Sequence, residues 1–126
     1  MTVSPYTGKI LRVDLTSGKT TELPTYQYAD SFLGGRGIAA KIYWDEVPPQ
    51  AKALDPENRL IFATGPMGCY PAIGGTRWVI CGKSPALSPE YFSFSIFGGH
   101  WGGELKFAGY DAMVLHGQSV IPVYLF

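Results

Sequence analysis

The stretch Gly98–Gly117, GGHWGGELKFAGYDAMVLHG, places two Gly-Gly pairs around His100 and Trp101 and then runs into an apolar segment. Inside a regular element each glycine costs about 0.5–1 kcal/mol relative to alanine, so this density calls for a compensating reason, either a tight turn or the close approach of a ligand. Trp101, Leu105 and Ala108 recur at helical spacing just after Gly98-Gly99, which predicts a short helix there. The segment before it, EYFSFSIF, alternates aromatic and serine residues as a strand does. The segment after it, DAMVLHG, is a further strand. The order strand, glycine turn, helix, strand sets the fold class: α+β, a mixed or antiparallel sheet with a few short helices.

Outward from this stretch the pattern holds. GKILRVDLTSGKTTEL alternates Leu11, Val13 and Leu15 against Arg12 and Asp14, so one face is expected in the core and the other in water. Ser17-Gly18 supplies the turn for a hairpin return over Lys19 to Leu23. A short helical turn ends at Gly34-Gly35. A helix of about three turns then starts near Arg36, carries Ile38, Ile42 and Tyr43, and stops at Pro48-Pro49. RLIFATG and RWVICG, bounded by glycine and proline, predict buried strands over 59–64 and 77–82, and PVYLF is expected to close the chain as a strand.

The chain has 126 residues, enough for one domain that buries roughly two thirds of its unfolded surface. No internal repeat or polar linker divides it, so 1–126 is read as one unit. The composition, with 46% hydrophobic and 14% aromatic residues, belongs to a packed core joined by turns. Ten basic and ten acidic residues cancel, which argues against nucleic acid or an anionic membrane surface as partner. No run approaches the length of a membrane span and the N-terminus lacks the order of a signal peptide, so a cytoplasmic location is expected. Two cysteines, Cys69 and Cys81, are too few for a disulfide framework and match no zinc spacing; two reduced thiols and no metal ligands are expected.

Candidate binding residues follow from the glycine turns. Gly98 and Gly99 sit where a strand ends and a helix begins, a place where bare amides and the helix dipole favour an anion. A second place is Gly74-Gly75 before Arg77, whose planar fork suits a phosphate or carboxylate. Neither is a nucleotide fingerprint, and tight-turn geometry alone would also account for the glycines. Arg36 in GGRG could face a phosphate or a carboxylate. His100 and His116 are assigned no role, His116 being expected as a structural group. Glu104 and Lys106 are expected at the start of the helix as dipole and capping residues. Trp44, Trp78 and Trp101 are expected as core or interface aromatics.

Taken together, FLGGRGIAAKIYWDEVPP, DPENRLIFATGPM, GGTRWVICGKSP and GGHWGGELKFAGYDAMVLHG resemble successive motifs of the N-terminal domain of the tungsten-containing aldehyde ferredoxin oxidoreductase family. ELKFAGYDA after a Gly-Gly turn is the most specific piece. The resemblance implies an α+β unit forming the base on which a tungsten bis-pyranopterin (molybdopterin) sits. It further implies a 4Fe-4S cluster bound by cysteines of later domains, with no ligands here, and a reaction oxidising an aldehyde to its acid with ferredoxin as electron acceptor. Carried onto this sequence, the family's arginine falls on Arg77, with Thr76 inserted or shifted. Its pterin-contacting asparagine falls on Ile96 and its glycine on Gly98, beside Gly99. Isoleucine offers no side-chain amide, and GPMGCYPA replaces the common GPLTGT. Both departures keep a benzoyl-CoA-type aromatic ring reductase of the same family as the alternative, beside a non-catalytic pterin-binding or structural module. The resemblance also implies partners: the remaining enzyme domains or subunits, and a homo-oligomer. The length and the apolar PVYLF ending are read as a truncated N-terminal domain that is not catalytic alone.

Overall fold

The hairpin comes first. Lys9–Asp14 (β1) and Lys19–Pro24 (β2) pair antiparallel, with Leu11 opposite Glu22 and Val13 opposite Thr20. The computed structural model, which describes residues 4–68, 70 and 75–126, continues with helices Tyr26–Phe32 (α1) and Arg36–Glu46 (α2). Leu60–Thr64 (β3), Trp78–Ser84 (β4) and Tyr91–Phe97 (β5) follow as an antiparallel meander, then helix Trp101–Phe107 (α3) and strand Ala112–His116 (β6). The six strands form one sheet in the order β2-β1-β6-β3-β4-β5. β6 joins the two hairpin systems, parallel to β1 and antiparallel to β3, so the sheet is mixed and the α+β expectation holds.

Because side chains alternate across a strand, each inner strand serves two cores. On one face Ile10, Ile61, Ala63, Val79, Cys81, Ala112 and Val114 pack under Ile38, Ala39 and Ile42 of α2. Each isoleucine buried there contributes about 1.5–3 kcal/mol relative to exposure. On the other face Met113 and Leu115 meet Leu105 of α3, with Leu11, Val13 and Phe62 beside them. The 112–116 segment reads as a continuous apolar run for this reason: Ala112 and Val114 go to one core, Met113 and Leu115 to the other.

Two expectations change. Arg12 does not face water. Its guanidinium forks onto Glu46 at the end of α2, where Arg59 Nε also donates to Glu46 Oε2 at 2.9 Å. Burial pushes the Glu46 carboxyl up, yet the two guanidinium groups outweigh it and hold the group below its usual range. An alternating pattern marks the two faces but not what covers them, and α2 lies over the Arg12 face. PVYLF is not a strand: Val123 and Tyr124 are exposed and pair with nothing among the described residues. β6 already has a neighbour on each side, so the run after it meets no free edge, and Pro122 brings no amide.

The glycines of the opening stretch divide by purpose. A Cβ on Gly102 would lie 3.0 Å from Trp78 Cβ and 3.2 Å from Thr64 Cγ2, so this glycine lets α3 press onto β3 and β4. Gly109, at φ 94°, ends α3: its amide donates to the Lys106 carbonyl at 2.9 Å and the Tyr110 amide to the Leu105 carbonyl at 3.1 Å, the paired bonds of a Schellman cap.

Candidate functional site

Between the start of α2 and the β4–β5 pair lies a recess of about 300 Å³. Buried Ala63 and Val79 give it an apolar base, Ile96 and Trp78 line one side, and Arg36, Arg77, Gly35 and Gly65 complete the lining. An apolar hollow with two arginines in its lining suits a ligand with a flat body and an anionic end. Among the described residues the ion pairs involve Lys9, Arg12, Lys41, Arg59, Lys106 and His116, and neither arginine of the recess.

The α1–α2 junction places Arg36 at the recess through an unusual turn. Leu33 takes φ 59°, ψ −65°, and the Gly34 amide donates to the Phe32 carbonyl at 2.7 Å, which is a γ-turn of the rare positive-φ kind. The Tyr6 hydroxyl donates to the Leu33 carbonyl at 2.7 Å, and the Gly35 amide donates to Thr64 O at 2.8 Å, tying the turn to the end of β3. Gly35 precedes α2 at φ 51°, ψ −126°, a conformation open to glycine and strained for other residues. A Cβ on Gly34 would lie 2.9 Å from Pro66 Cδ. The chain therefore crosses β3 closely and enters α2 with Arg36 at its first position, its Cζ 4.5 Å from the centre of the Phe94 ring.

Beneath the loop that follows β3 lies a buried ion pair. Lys106 Nζ sits 3.3 Å from Asp111 Oδ1 and donates to Pro5 O at 2.7 Å and Pro66 O at 3.3 Å, with both side chains 3% exposed. Asp111 accepts from the Thr25 hydroxyl at 2.7 Å and from the amides of Gly8 at 2.9 Å and Thr7 at 3.1 Å. Burial pushes the Asp111 carboxyl up, but these donors and the lysine charge outweigh it and hold it below the usual carboxylate range. One carboxylate and one ammonium thus join the N-terminal segment, the start of α1, the loop after β3 and the α3–β6 turn. Lys106 was expected as a capping residue at the helix start; it is instead the cationic member of this buried pair. Glu104 does stand in the first turn of α3, without a side-chain cap bond.

The sequence-derived residues fall as follows. Arg77 and Ile96 line the recess together, and Ile96 is 51% exposed there. Trp78 pairs with Phe97, so Arg77 and Gly98 flank the same end of the β4–β5 ladder, and Trp78 Nε1 donates to Gly98 O at 3.3 Å. Gly98 and Gly99 are outside the lining of the recess. Gly99 takes φ 91° while Gly98 does not need a positive φ, and neither Cβ position meets an atom within 4 Å. Their turn leads into α3, which spans only 7 residues. Gly74 and Cys69 lie outside the described residues. Cys81 is buried, its thiol pushed up to about 11 by burial. His116 lies 4.0 Å from Asp14; burial, then Arg12 and Arg59, push its pKa down. Trp78 and Trp101 pack as a tilted pair with ring centroids 4.4 Å apart in one aromatic cluster with Phe62, whereas Trp44 is 81% exposed. No group of three or more His, Cys, Asp or Glu able to hold a metal occurs among the described residues. No helix there is long and apolar enough to cross a membrane.

The start of α2 and Gly65 were missed as parts of one recess. The signal was present in the paired breaks Gly34-Gly35 and Gly65-Pro66, but nothing in sequence spacing shows that they meet.

The model of the family described as aldehyde ferredoxin oxidoreductase, N-terminal domain, matches residues 10–126. The tungsten-containing aldehyde ferredoxin oxidoreductase of Pyrococcus abyssi is 42% identical over 123 residues, covering 96% of this chain and 20% of that protein. A protein of Pyrococcus furiosus described as an aliphatic sulfonate oxidoreductase, WOR-like subunit, is 39% identical over 126 residues, with 96% of this chain and 19% of that protein covered. Among solved structures, the active site complex BamBC of benzoyl coenzyme A reductase with 1,5-dienoyl-CoA superposes at a TM-score of 0.90 with 42% identity, covering 97% of this chain and 18% of that one. The chain spans about a fifth of the length of the curated relatives it matches.

Proposed function

This chain belongs to the aldehyde ferredoxin oxidoreductase family, in its N-terminal domain, and we propose that it supplies part of the base that holds a tungsten bis-pyranopterin. The observation that carries the reading is the recess itself, in which Arg77 stands at the edge of an apolar hollow based on Ala63 and Val79. The donor set fits such a cofactor: a planar guanidinium for a phosphate, an apolar bed for a fused ring, and glycine backbone at Gly35 and Gly65 that permits close approach. Arg77 would fix the anionic end, Ile96 would contact the ring system without a side-chain hydrogen bond, and Gly98 with Gly99 would border the site from the end of β5. When bound, the cofactor would supply two-electron redox chemistry; this chain's part is to bind and orient it.

In this reading the whole protein oxidises aldehydes to carboxylic acids and passes electrons to ferredoxin in the cytoplasm of an anaerobe. Its 4Fe-4S cluster is held elsewhere, since four thiolates are the usual ligand set and this chain has two cysteines, with Cys81 closed in the core. The remaining domains or subunits, and a second copy in a homo-oligomer, would cover exposed apolar residues such as Phe94 and Ile96.

A second reading is favoured by one observation. The BamBC superposition supports membership in the branch that reduces the ring of benzoyl-CoA. Full-length protein grown with tungstate separates the two. The first reading expects stoichiometric tungsten with pterin and ferredoxin reduction driven by an aldehyde. Activity with a cyclic dienoyl-CoA and none with aldehydes gives the second, and absence of any pterin defeats both.

A further inference from the structure

We propose that Arg36 is a second anion ligand of the recess, and that Arg36 and Arg77 together grip a phosphate or pyrophosphate group carried on a flat body. The inference rests on the pterin-base reading and extends it to a residue outside the motif that suggested Arg77.

The arginines of this chain are Arg12, Arg36, Arg59 and Arg77, and the structure divides them in two. Arg12 and Arg59 are both committed to Glu46. Arg36 and Arg77 come from elements far apart in sequence, meet at one recess, and have no carboxylate among its lining residues. Two arginines lining one recess that offers them no carboxylate leave an anion as the partner both can bind.

Arg36 is also held rather than free to swing away. Its guanidinium lies over the Phe94 ring at 4.5 Å, and Phe94 is two residues from Ile96 on the same face of β5. A guanidinium stacked in this way loses less freedom when it binds, which favours a fixed bidentate contact. The backbone before it is strained at Leu33 and tied by the Gly35 amide to Thr64 O, so the position of Arg36 is set by bonds that contribute nothing to the helix itself. α2 is 11 residues long and no side chain caps it at Gly35, so its positive end adds to the same field. The apolar base, Ala63 and Val79, accounts for the rest of the ligand.

The test is pyrophosphate binding to full-length protein freed of cofactor, read by calorimetry, together with the pterin retained by the untreated holoprotein, read by its fluorescence after release. Arg36→Ala and Arg77→Ala should each weaken pyrophosphate binding by about 10- to 100-fold, the range expected for one charged hydrogen-bonding group. Both should lower retained pterin. Arg36→Lys, which keeps the charge and the helix start, should fall between Arg36→Ala and the unaltered protein. If Arg77→Ala loses pyrophosphate and pterin while Arg36→Ala and Arg36→Lys keep both, the inference is overturned and the pterin-base reading stands. If pyrophosphate binds equally well after both arginines are removed, both fail.

Discussion

The two sides of the sheet are finished differently. Around β1, β6 and β3 both faces are covered, with Ile10, Ile61 and Val114 at 0% exposure and the Lys106–Asp111 pair sealed among four chain segments. At β5 the sheet ends on an edge whose Phe94, Ile96 and Phe97 remain 41%, 51% and 41% exposed. The recess lies on the line between these regions. Its base and the turn that holds Arg36 belong to the packed side, whereas Ile96 and the support for Arg36, Phe94, belong to the open side. Rigidity comes from one region and the proposed ligand-contacting surface from the other, so substitutions should separate into those that unfold the protein and those that change only what it binds.

The sharpest way to break this division is at the ion pair. Asp111→Ala strands a buried ammonium and should cost about 3–5 kcal/mol, measured by urea denaturation. A loss below 1 kcal/mol would mean that water reaches the pair and the packed side is not sealed. The pH dependence has the same origin. Because the folded Asp111 carboxyl lies below its ordinary value, its stabilisation is present above the unfolded pKa of about 4 and is lost as pH falls through the lower folded value. Acid titration of the unaltered protein should therefore show a fall in stability below about pH 4 that is reduced in Asp111→Ala.

A smaller effect compares two glycines of one stretch. Gly102→Val drives a branched side chain into Trp78 and Thr64 and should cost about 1–3 kcal/mol. Gly98→Val meets open space at ordinary φ and should change stability by no more than about 0.5 kcal/mol. Equal losses would erase the boundary between the two regions. Ile96→Asn, at the exposed wall, should likewise leave the melting temperature within a degree or two, in line with a change of about 0.5 kcal/mol, while altering cofactor retention. The smallest signal is chemical: with its thiol pushed to about 11, Cys81 should resist iodoacetamide at pH 8 in the native protein and react on denaturation, followed by mass spectrometry.

Much of the fold was legible because local patterns agreed with it. Period-two alternation in 10–15, the break at Gly34-Gly35, the helix stop at Pro48-Pro49 and the short apolar runs expected as strands over 59–64 and 77–82 each have a local cause, and each became the element expected, the two strands at Leu60–Thr64 and Trp78–Ser84. The site was less legible. Arg77 and Ile96 follow from the family motif, and Arg36 stands out in GGRG with its partner left open, but that Arg36 and Gly65 share a recess with Arg77 shows only when two loops meet across β3, which no spacing records. The role of Lys106 was hidden for the same reason. A lysine in a helix reads as a surface or dipole residue until the turn at Gly109 brings Asp111 beneath it. In ELKFAGYDA the lysine, the glycine and the aspartate form one device. PVYLF misled because its apolar strand-like composition does not say whether an edge is available to it.

The place of β6 has a consequence for how the chain is made. Of the six strands among the described residues it comes last in sequence yet lies third in the sheet, between β1 and β3. Until residues 112–116 have left the ribosome, the β1–β2 hairpin and the β3–β5 meander have no strand between them, and each presents an unpaired inner edge. Closing the sheet then requires bringing Ile10 beside Ala112, a loop of about a hundred residues, before the helices can complete either core. Such long-range pairing is slow compared with local helix or hairpin formation. Synthesis should therefore pass through a period in which two hairpin units wait side by side, each open to pairing with a neighbouring nascent chain, and β6 is the bolt whose arrival ends it.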